Sequence, residues 1–174
     1  MKRPIHKLEL KINGGYELIM LPSCLVACEK LVELKLSGGI IRLDPSSLHC
    51  GNLKVLSLAY VEFADCGSLE DFLRDCPALE ELYMEGCYIK SDYSFDVCLS
   101  SSLKILQYTG GPYVYDASIT IDTPNLLQLQ VRQAELVELR APSTLRHLKL
   151  EEFVISDGFH MEEMPCWSKN RFGG

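Results

Sequence analysis

The chain has 174 residues, of which 47% are hydrophobic and 24% charged, and its formal net charge is −7. This composition is ordinary for a folded domain and excludes wholesale disorder. The acidic balance also disfavours a nucleic-acid partner, because phosphate binding needs clustered lysine and arginine side chains.

The N-terminal part carries no pattern typical of export or of membrane insertion. Lys7 and Lys11 interrupt any apolar signal core, and the longest apolar stretch, residues 18–28, is too short to span a bilayer. Eight cysteines occur, but Cys76 and Cys87 lie inside apolar patterns, where a thiol behaves as a small hydrophobe. We therefore predict an intracellular protein, in the cytoplasm or nucleus, with reduced thiols and no membrane contact.

An apolar frame of the form LxxLxL, with close variants, recurs along the whole chain. Its copies begin at Ile5, Leu31, Leu53, Leu79, Leu103, Leu126, Leu136 and Leu145. The first five intervals are 22 to 26 residues, within the period of about 20–29 residues that marks leucine-rich repeats. In each copy LxL is a short strand whose two leucines face inward, and strands of successive coils pair in parallel.

The frame thus predicts an α/β fold, namely an irregular leucine-rich-repeat solenoid of about six coils over residues 1–155. A parallel β-sheet forms one face, and loops, extended returns and short helices form the other. Residues 156–174 are expected to form a C-terminal tail outside the coils, and to be truncated.

The returns between the strands are predicted to differ from coil to coil. Residues 22–30 and 68–76 are predicted to be short helices, the second beginning after an N-cap at Ser68 and ending before Pro77.

Later returns are predicted to be extended, because apolar residues alternate around Phe95 and Val97 and again around Ile119. The copy at Leu136 follows the previous one too closely for a full coil, so residues 136–142 are predicted to be a return strand.

Three consecutive phrases carry a family resemblance: LPSCLVACEKLVELKLSGG (21–39), PSSLHCGNLKVLSLAYVEF (45–63) and LEDFLRDCPALEELYMEGC (69–87). They resemble the leucine-rich-repeat region of plant F-box proteins of the FBD-associated type. The resemblance covers roughly residues 5–155 and is strongest over 21–89.

The resemblance implies a role in ubiquitin ligation without catalysis. In that family an N-terminal F-box docks on a Skp-type adaptor of a cullin ubiquitin ligase, and the repeats hold the protein substrate. Nothing before Ile5 matches an F-box, so a Skp-type adaptor is expected only if an F-box lies upstream. The chain is then either a fragment or splice form of an F-box protein, or a standalone relative without its adaptor.

Sequence patterns of catalysis and of metal binding are absent. GxSxG, GxxxxGK[ST], HExxH and GxGxxG do not occur. Cys24 and Cys28 could share a helix face, but the second ligand pair that a structural zinc site needs is missing. We expect no enzymatic activity, no cofactor and no metal.

The remaining candidate for a functional site is the outer face of the sheet. Because alternate side chains of a strand point to opposite faces, the residues that flank the inward leucines lie on this outer face. An apolar centre with an aromatic anchor and a polar rim suits protein recognition. The competing interpretation is that the aliphatic residues only satisfy strand propensity. The predicted partner-binding residues are Val55, Ser57, Ala59, Glu81, Tyr83, Glu85, Ile105 and Gln107.

Three other interpretations stay open alongside the binding of a protein substrate. The chain could sequester a partner as a standalone repeat protein. It could be a small-ligand receptor, with residues 110–118 closing a pocket through Tyr113 and Tyr115. It could also be a truncated product without a stable fold, because solenoids need capped ends.

Overall fold

The computed structural model describes residues 5–12, 18–20, 29–38, 40–42, 50–63, 73–89, 94–97, 102–110, 118–139 and 144–154. Within these ranges the chain forms thirteen strands, and every strand pairing is parallel. The strands are β1 (Lys7–Lys11), β2 (Leu18–Met20), β3 (Glu33–Ser37), β4 (Ile40–Arg42), β5 (Val55–Ala59), β6 (Glu62–Phe63), β7 (Glu81–Glu85), β8 (Tyr88–Ile89), β9 (Ser94–Val97), β10 (Ile105–Thr109), β11 (Ser118–Ile121), β12 (Gln128–Leu139) and β13 (His147–Val154).

Seven of these strands begin where the leucine frame predicts them, and we call these seven the main sheet. They belong to a nine-stranded parallel sheet that β11 and β9 complete through β12. The order of the seven is β1-β3-β5-β7-β10-β12-β13, which is also their order in the chain. The inward leucines pair in register, so that Leu34, Leu56, Leu82 and Leu106 lie side by side across four strands. The predicted repeat architecture with a parallel sheet on one face is therefore confirmed.

The core consists of the leucines of the frame, stacked from coil to coil. Leu56 and Leu82 are fully buried, and the first leucine of five frame copies is at most 1% exposed: Leu31, Leu53, Leu79, Leu103 and Leu126. Burying one such side chain stabilises the fold by about 1.5–3 kcal/mol. Leucines of the outermost described strands are only half buried, because only one described neighbouring coil covers them: Leu8, Leu10, Leu148 and Leu150.

The extended returns are confirmed where the structure describes them. β9 and β11 pair with each other, and β11 pairs with the last four residues of β12. Residues 136–139 therefore are a return strand, as predicted. They are continuous with the frame strand that precedes them, however, since the interval of ten positions from Leu126 to Leu136 leaves no room for a connecting loop. The change of direction falls at Gln133, whose φ is 55°.

A second parallel sheet, with the order β2-β4-β6-β8, was not predicted from the sequence. Three of its strands follow a main-sheet strand after a residue with positive φ: Gly38, Tyr60 or Gly86. Strands of two or three residues are too short to show a period-two pattern, so the sequence carried no signal for them.

The predicted short helices fall mostly outside the described residues. Residues 21–28 and 64–72 are not among them; Leu73 and Arg74 have helical backbone, and Leu73 and Cys76 are buried. The helices at 22–30 and 68–76 therefore stay predictions. The same holds for the tail at 156–174 and for the boundary at 155.

Candidate protein-binding face

The outer face of the main sheet is built by strand alternation. In β5 and β10 the first, third and fifth residues are half buried while the second and fourth are buried, and β7 repeats this pattern with an exposed final residue. We call the nine outward residues of these three strands the central face. They are Val55, Ser57, Ala59, Glu81, Tyr83, Glu85, Ile105, Gln107 and Thr109.

The structure brings all eight predicted partner-binding residues together on this central face. In one row, Val55 and Ile105 lie on either side of Glu81. In the next row, Ser57 and Gln107 flank Tyr83. Neighbouring strands lie about 4.8 Å apart, so the side chains of each row are in contact range.

The remaining pair, Ala59 and Glu85, lies side by side in the third row. The strand register brings these residues close together. Their role in binding a partner stays a prediction.

Tyr83 is the aromatic residue at the centre of the face. Its hydroxyl donates a hydrogen bond of 2.7 Å to Oε2 of Glu81, two residues earlier on the same strand. Partial burial, reinforced by the Glu81 carboxylate, raises the pKa of Tyr83 to about 12. The phenol therefore stays protonated at neutral pH and presents a fixed ring above the sheet.

Tyr60 is a second surface tyrosine, which the sequence analysis missed. It follows β5 directly, its side chain is 58% exposed and its φ is 55°. Its hydroxyl donates a hydrogen bond of 2.9 Å to Oε1 of Glu85, and this bond raises the pKa of Tyr60.

The ring of Tyr60 lies against Gly86, because a Cβ placed on that glycine would meet Cδ1 of the ring at 2.7 Å. Tyr60 is the first residue after β5. In the two adjacent coils the first residue after the strand is a glycine, Gly38 after β3 and Gly86 after β7. The backbone N–H groups of Gly38, Tyr60, Gly86 and Gly110 donate to the next strand in the same way. In an alignment of the frame copies, Tyr60 shares its position with Gly38, Gly86 and Gly110, but also with Ile12 and Gln133.

Charges on the flanks of the central face are paired with lysines, whereas no cation among the described residues forms an ion pair with Glu81 or Glu85. Glu33 accepts from Lys7 at 2.6 Å and from Lys35 at 3.2 Å, and its pKa is lowered chiefly by Lys7. Glu80 bridges Lys104 at 2.6 Å and Lys54 at 3.0 Å, which lowers the pKa of Glu80 to about 2.

Glu81 and Glu85, by contrast, have tyrosine hydroxyls as their hydrogen-bond donors. Among the nine outward residues of the central face these two are acidic and none is basic. The central face therefore combines the ring of Tyr83 with aliphatic residues and two negative charges.

The other predicted site falls outside the described residues. Tyr113 and Tyr115 belong to the segment 111–117, so the pocket of a small-ligand receptor stays a prediction. Over the ranges that the structure does describe, no group of three histidine, cysteine or acidic residues is placed to hold a metal ion. No helix in those ranges is long and apolar enough to cross a membrane.

Comparison with known proteins identifies the family. The sequence model of the leucine-rich repeats of the FBD-associated F-box protein At5g56370 matches residues 2–147. The sequence is also similar to three proteins from Arabidopsis thaliana, among others, and it matches each of them over a quarter to a third of that protein's length. They are the FBD-associated F-box protein At4g10400 (33% identity over 71% of this chain and 30% of the relative), F-box/LRR-repeat protein 13 (32% over 68% and 26%) and the FBD-associated F-box protein At5g56380 (38% over 62% and 25%).

No solved structure matches the chain. The match to the repeat model covers most of the sequence and spans the first six of the seven frame strands of the main sheet. The chain therefore belongs to the FBD-associated F-box protein family, of which it carries the leucine-rich repeats.

Proposed function

We propose that the chain is a non-enzymatic protein-interaction module and serves as the substrate-recognition repeats of an SCF-type ubiquitin ligase subunit. The observation that carries the proposal is the position of Tyr83. A half-buried aromatic ring lies in the middle row of the central face, with aliphatic and polar neighbours on the adjacent strands. Aromatic anchors of this kind dominate the binding energy of protein interfaces.

Rigidity supports the same proposal. The strands that carry the central face are each paired on both sides and sit on a core of fully buried leucines. Side chains presented from such a sheet lose little conformational entropy on binding, which favours affinity. A partner segment lying across β5, β7 and β10 would meet aliphatic, aromatic and acidic groups in turn.

We also propose that the module has no catalytic activity, and the burial of the described thiols supports this part of the proposal. Cys50, Cys76 and Cys87 are at most 3% exposed. Burial raises the pKa of Cys87 to about 11. The hydrogen bond between Cys50 and Cys76 raises the pKa of Cys76 and lowers that of Cys50, but both side chains are fully buried. Buried thiols that solvent and substrates do not reach make poor nucleophiles. In an SCF-type assembly the transfer of ubiquitin would be the work of other subunits.

A Skp-type adaptor and a location in the cytoplasm or the nucleus follow from the proposed role. The relatives that the chain matches are named as F-box proteins, and the chain spans about a third or less of their length. Adaptor binding would therefore depend on an F-box in the same polypeptide. Mapping the 5′ end of the transcript and reading the frame upstream of Met1 tests for one.

The proposal is tested in plant cells that express either the tagged protein or its Tyr83→Ala variant. We expect proximity labelling to mark a set of proteins with the wild type that the variant loses, while both circular dichroism spectra agree. Disrupting the gene should then raise the abundance of those proteins, if they are ligase substrates. Unchanged abundance would leave a binding module without ligase function, and labelling that is independent of Tyr83 would overturn the central face as the binding surface.

A further inference from the structure

We propose that Tyr60 and Glu85 together form an arginine-binding site at the edge of the central face, and that the protein partner presents an arginine there. The inference rests on the proposed function, since it names the chemistry of the partner that the central face receives. It follows from the backbone of Tyr60, from the arrangement of the tyrosine and the carboxylate, and from the charge of their surroundings.

The conformation of Tyr60 is unfavourable for a residue that only closes a turn. Its φ of 55° lies in the left-handed region, which glycine enters freely and a tyrosine does not. Gly38 and Gly86 hold the equivalent place in the preceding and following coils, with φ of 74° and 61°. The turn therefore does not require a tyrosine. Gln133, which has the same φ, holds the equivalent place in a later coil.

The tyrosine ring and a carboxylate lie side by side on the surface. One side of the ring rests on Gly86, while 58% of the residue remains exposed. The hydroxyl engages Oε1 of Glu85, which fixes the carboxylate beside the ring. A planar guanidinium can stack on the exposed ring and donate an N–H group to the carboxylate at the same time, whereas the compact ammonium group of lysine cannot stack.

The charge of the surroundings favours a cation from the partner. Glu81 adds a second negative charge at the other end of β7, and no lysine or arginine lies among the outward residues of the central face. The nearby Lys54 and Lys104 are engaged by Glu80. An incoming arginine is therefore attracted by two carboxylates. The described cation in the same row, Arg132, lies two strands from Glu85, beyond Thr109.

The test measures the binding of two pools of fluorescein-labelled nonapeptides to the full chain at low ionic strength. Both pools mix Ser, Thr, Val and Gly around a central position, which is arginine in one pool and its uncharged isostere citrulline in the other. By fluorescence anisotropy we expect the arginine pool to bind roughly fivefold more tightly, the size of a partly desolvated cation–π contact. Added salt should reduce the preference.

Two variants and one matched control locate the site. Tyr60→Gly removes the ring and Glu85→Gln removes the charge; each should abolish the preference for arginine. Gln133→Gly relaxes the same backbone strain, because Gln133 also has a φ of 55°, but it lies three strands from β5 and should keep the preference. Thermal melting of all three checks that they fold.

The outcomes separate this inference from the proposed function. Equal binding of the two pools, no binding of either pool, or an undiminished preference in Tyr60→Gly would overturn the arginine site. Protein labelling that depends on Tyr83 would stand in each of those cases, because it does not depend on the chemistry at Tyr60. Loss of the preference in both site variants, but not in the control, would support the site.

Discussion

Gly110 passes so close to Gln133 that a methyl group on its Cα would overlap the carbonyl oxygen of Gln133. The N–H group of Gly110 also donates to Arg132 at 2.9 Å, so the two strand ends are held together at this point. This contact joins β10 to the place where β12 leaves the main sheet for the return strands. The path of the chain thus depends on a glycine here.

Gly110→Ala should destabilise the fold by about 1–3 kcal/mol or more, because a backbone carbonyl cannot move aside as a flexible side chain does. Chemical denaturation measures the change. Gly51→Ala is the matched control, since nothing lies within 4 Å of a Cβ at that site. Its effect should stay within about 0.5 kcal/mol. Equal effects of the two variants would contradict the close approach.

Leu82→Ala should lower the free energy of unfolding by about 2–5 kcal/mol, because Leu82 is fully buried between coils and the truncation leaves a cavity. Leu148→Ala, at the half-buried end of the stack, is the control and should cost clearly less. Urea denaturation followed by circular dichroism compares the two. A change within about 0.5 kcal/mol for Leu82→Ala would refute the strand register.

The thiols of Cys50, Cys76 and Cys87 should resist alkylation in the native protein, because all three are buried and the pKa of Cys87 is raised to about 11. Brief treatment with iodoacetamide at mildly alkaline pH, followed by peptide mass spectrometry, measures the modification. After unfolding in guanidinium without reductant, the same peptides should be fully alkylated. Resistance that persists in the unfolded protein would indicate disulfides instead.

Glu80 should make stability depend on pH in the acid range. Lys104 and Lys54 lower its pKa from the usual 4.5 to about 2. A carboxylate with a depressed folded pKa stabilises the fold fully above its unfolded pKa, and this contribution is lost as the pH falls from 4.5 towards 2.

Thermal melting across that range should therefore show a steeper loss of stability for the wild type than for Glu80→Gln. The difference should shrink in high salt, because both lysines are about half exposed and the pairing is screened. Parallel melting curves at low salt would show that the ion pairs contribute nothing. Glu9→Gln is a suitable control for the loss of one surface carboxylate.

Much of the fold could be predicted because the spacing of apolar residues in the repeat frame gives the position of each strand and the side chains that face inward. Apolar residues, mostly leucines, at the first, fourth and sixth positions of the copies located seven strands and their inward faces, as the burial of Leu34 and Leu36 illustrates. The second sheet was missed since strands such as Glu62–Phe63 are too short for any periodic signal. Its position depends on the left-handed residues that end the main strands.

The candidate site was predictable to the extent that it obeys strand parity. Val55, Tyr83 and Ile105 could be assigned to one face because alternation is local. Tyr60 lies just beyond a strand end, where parity no longer indicates direction. The pairing of Glu80 with Lys54 and Lys104 joins residues 26 and 24 positions apart, and the sequence does not contain that proximity.

The leucine pattern by itself determined that this chain winds into coils with a parallel sheet and an outward face of known membership, because burial of apolar side chains at a fixed spacing admits few other arrangements. Only the tertiary structure decided what that face presents. Lysines neutralise the acidic groups on the flanks, while tyrosines hold Glu81 and Glu85 at the centre. The reason is physical: hydrogen bonds and ion pairs between coils depend on register and on side-chain direction, and both emerge only when the coils stack.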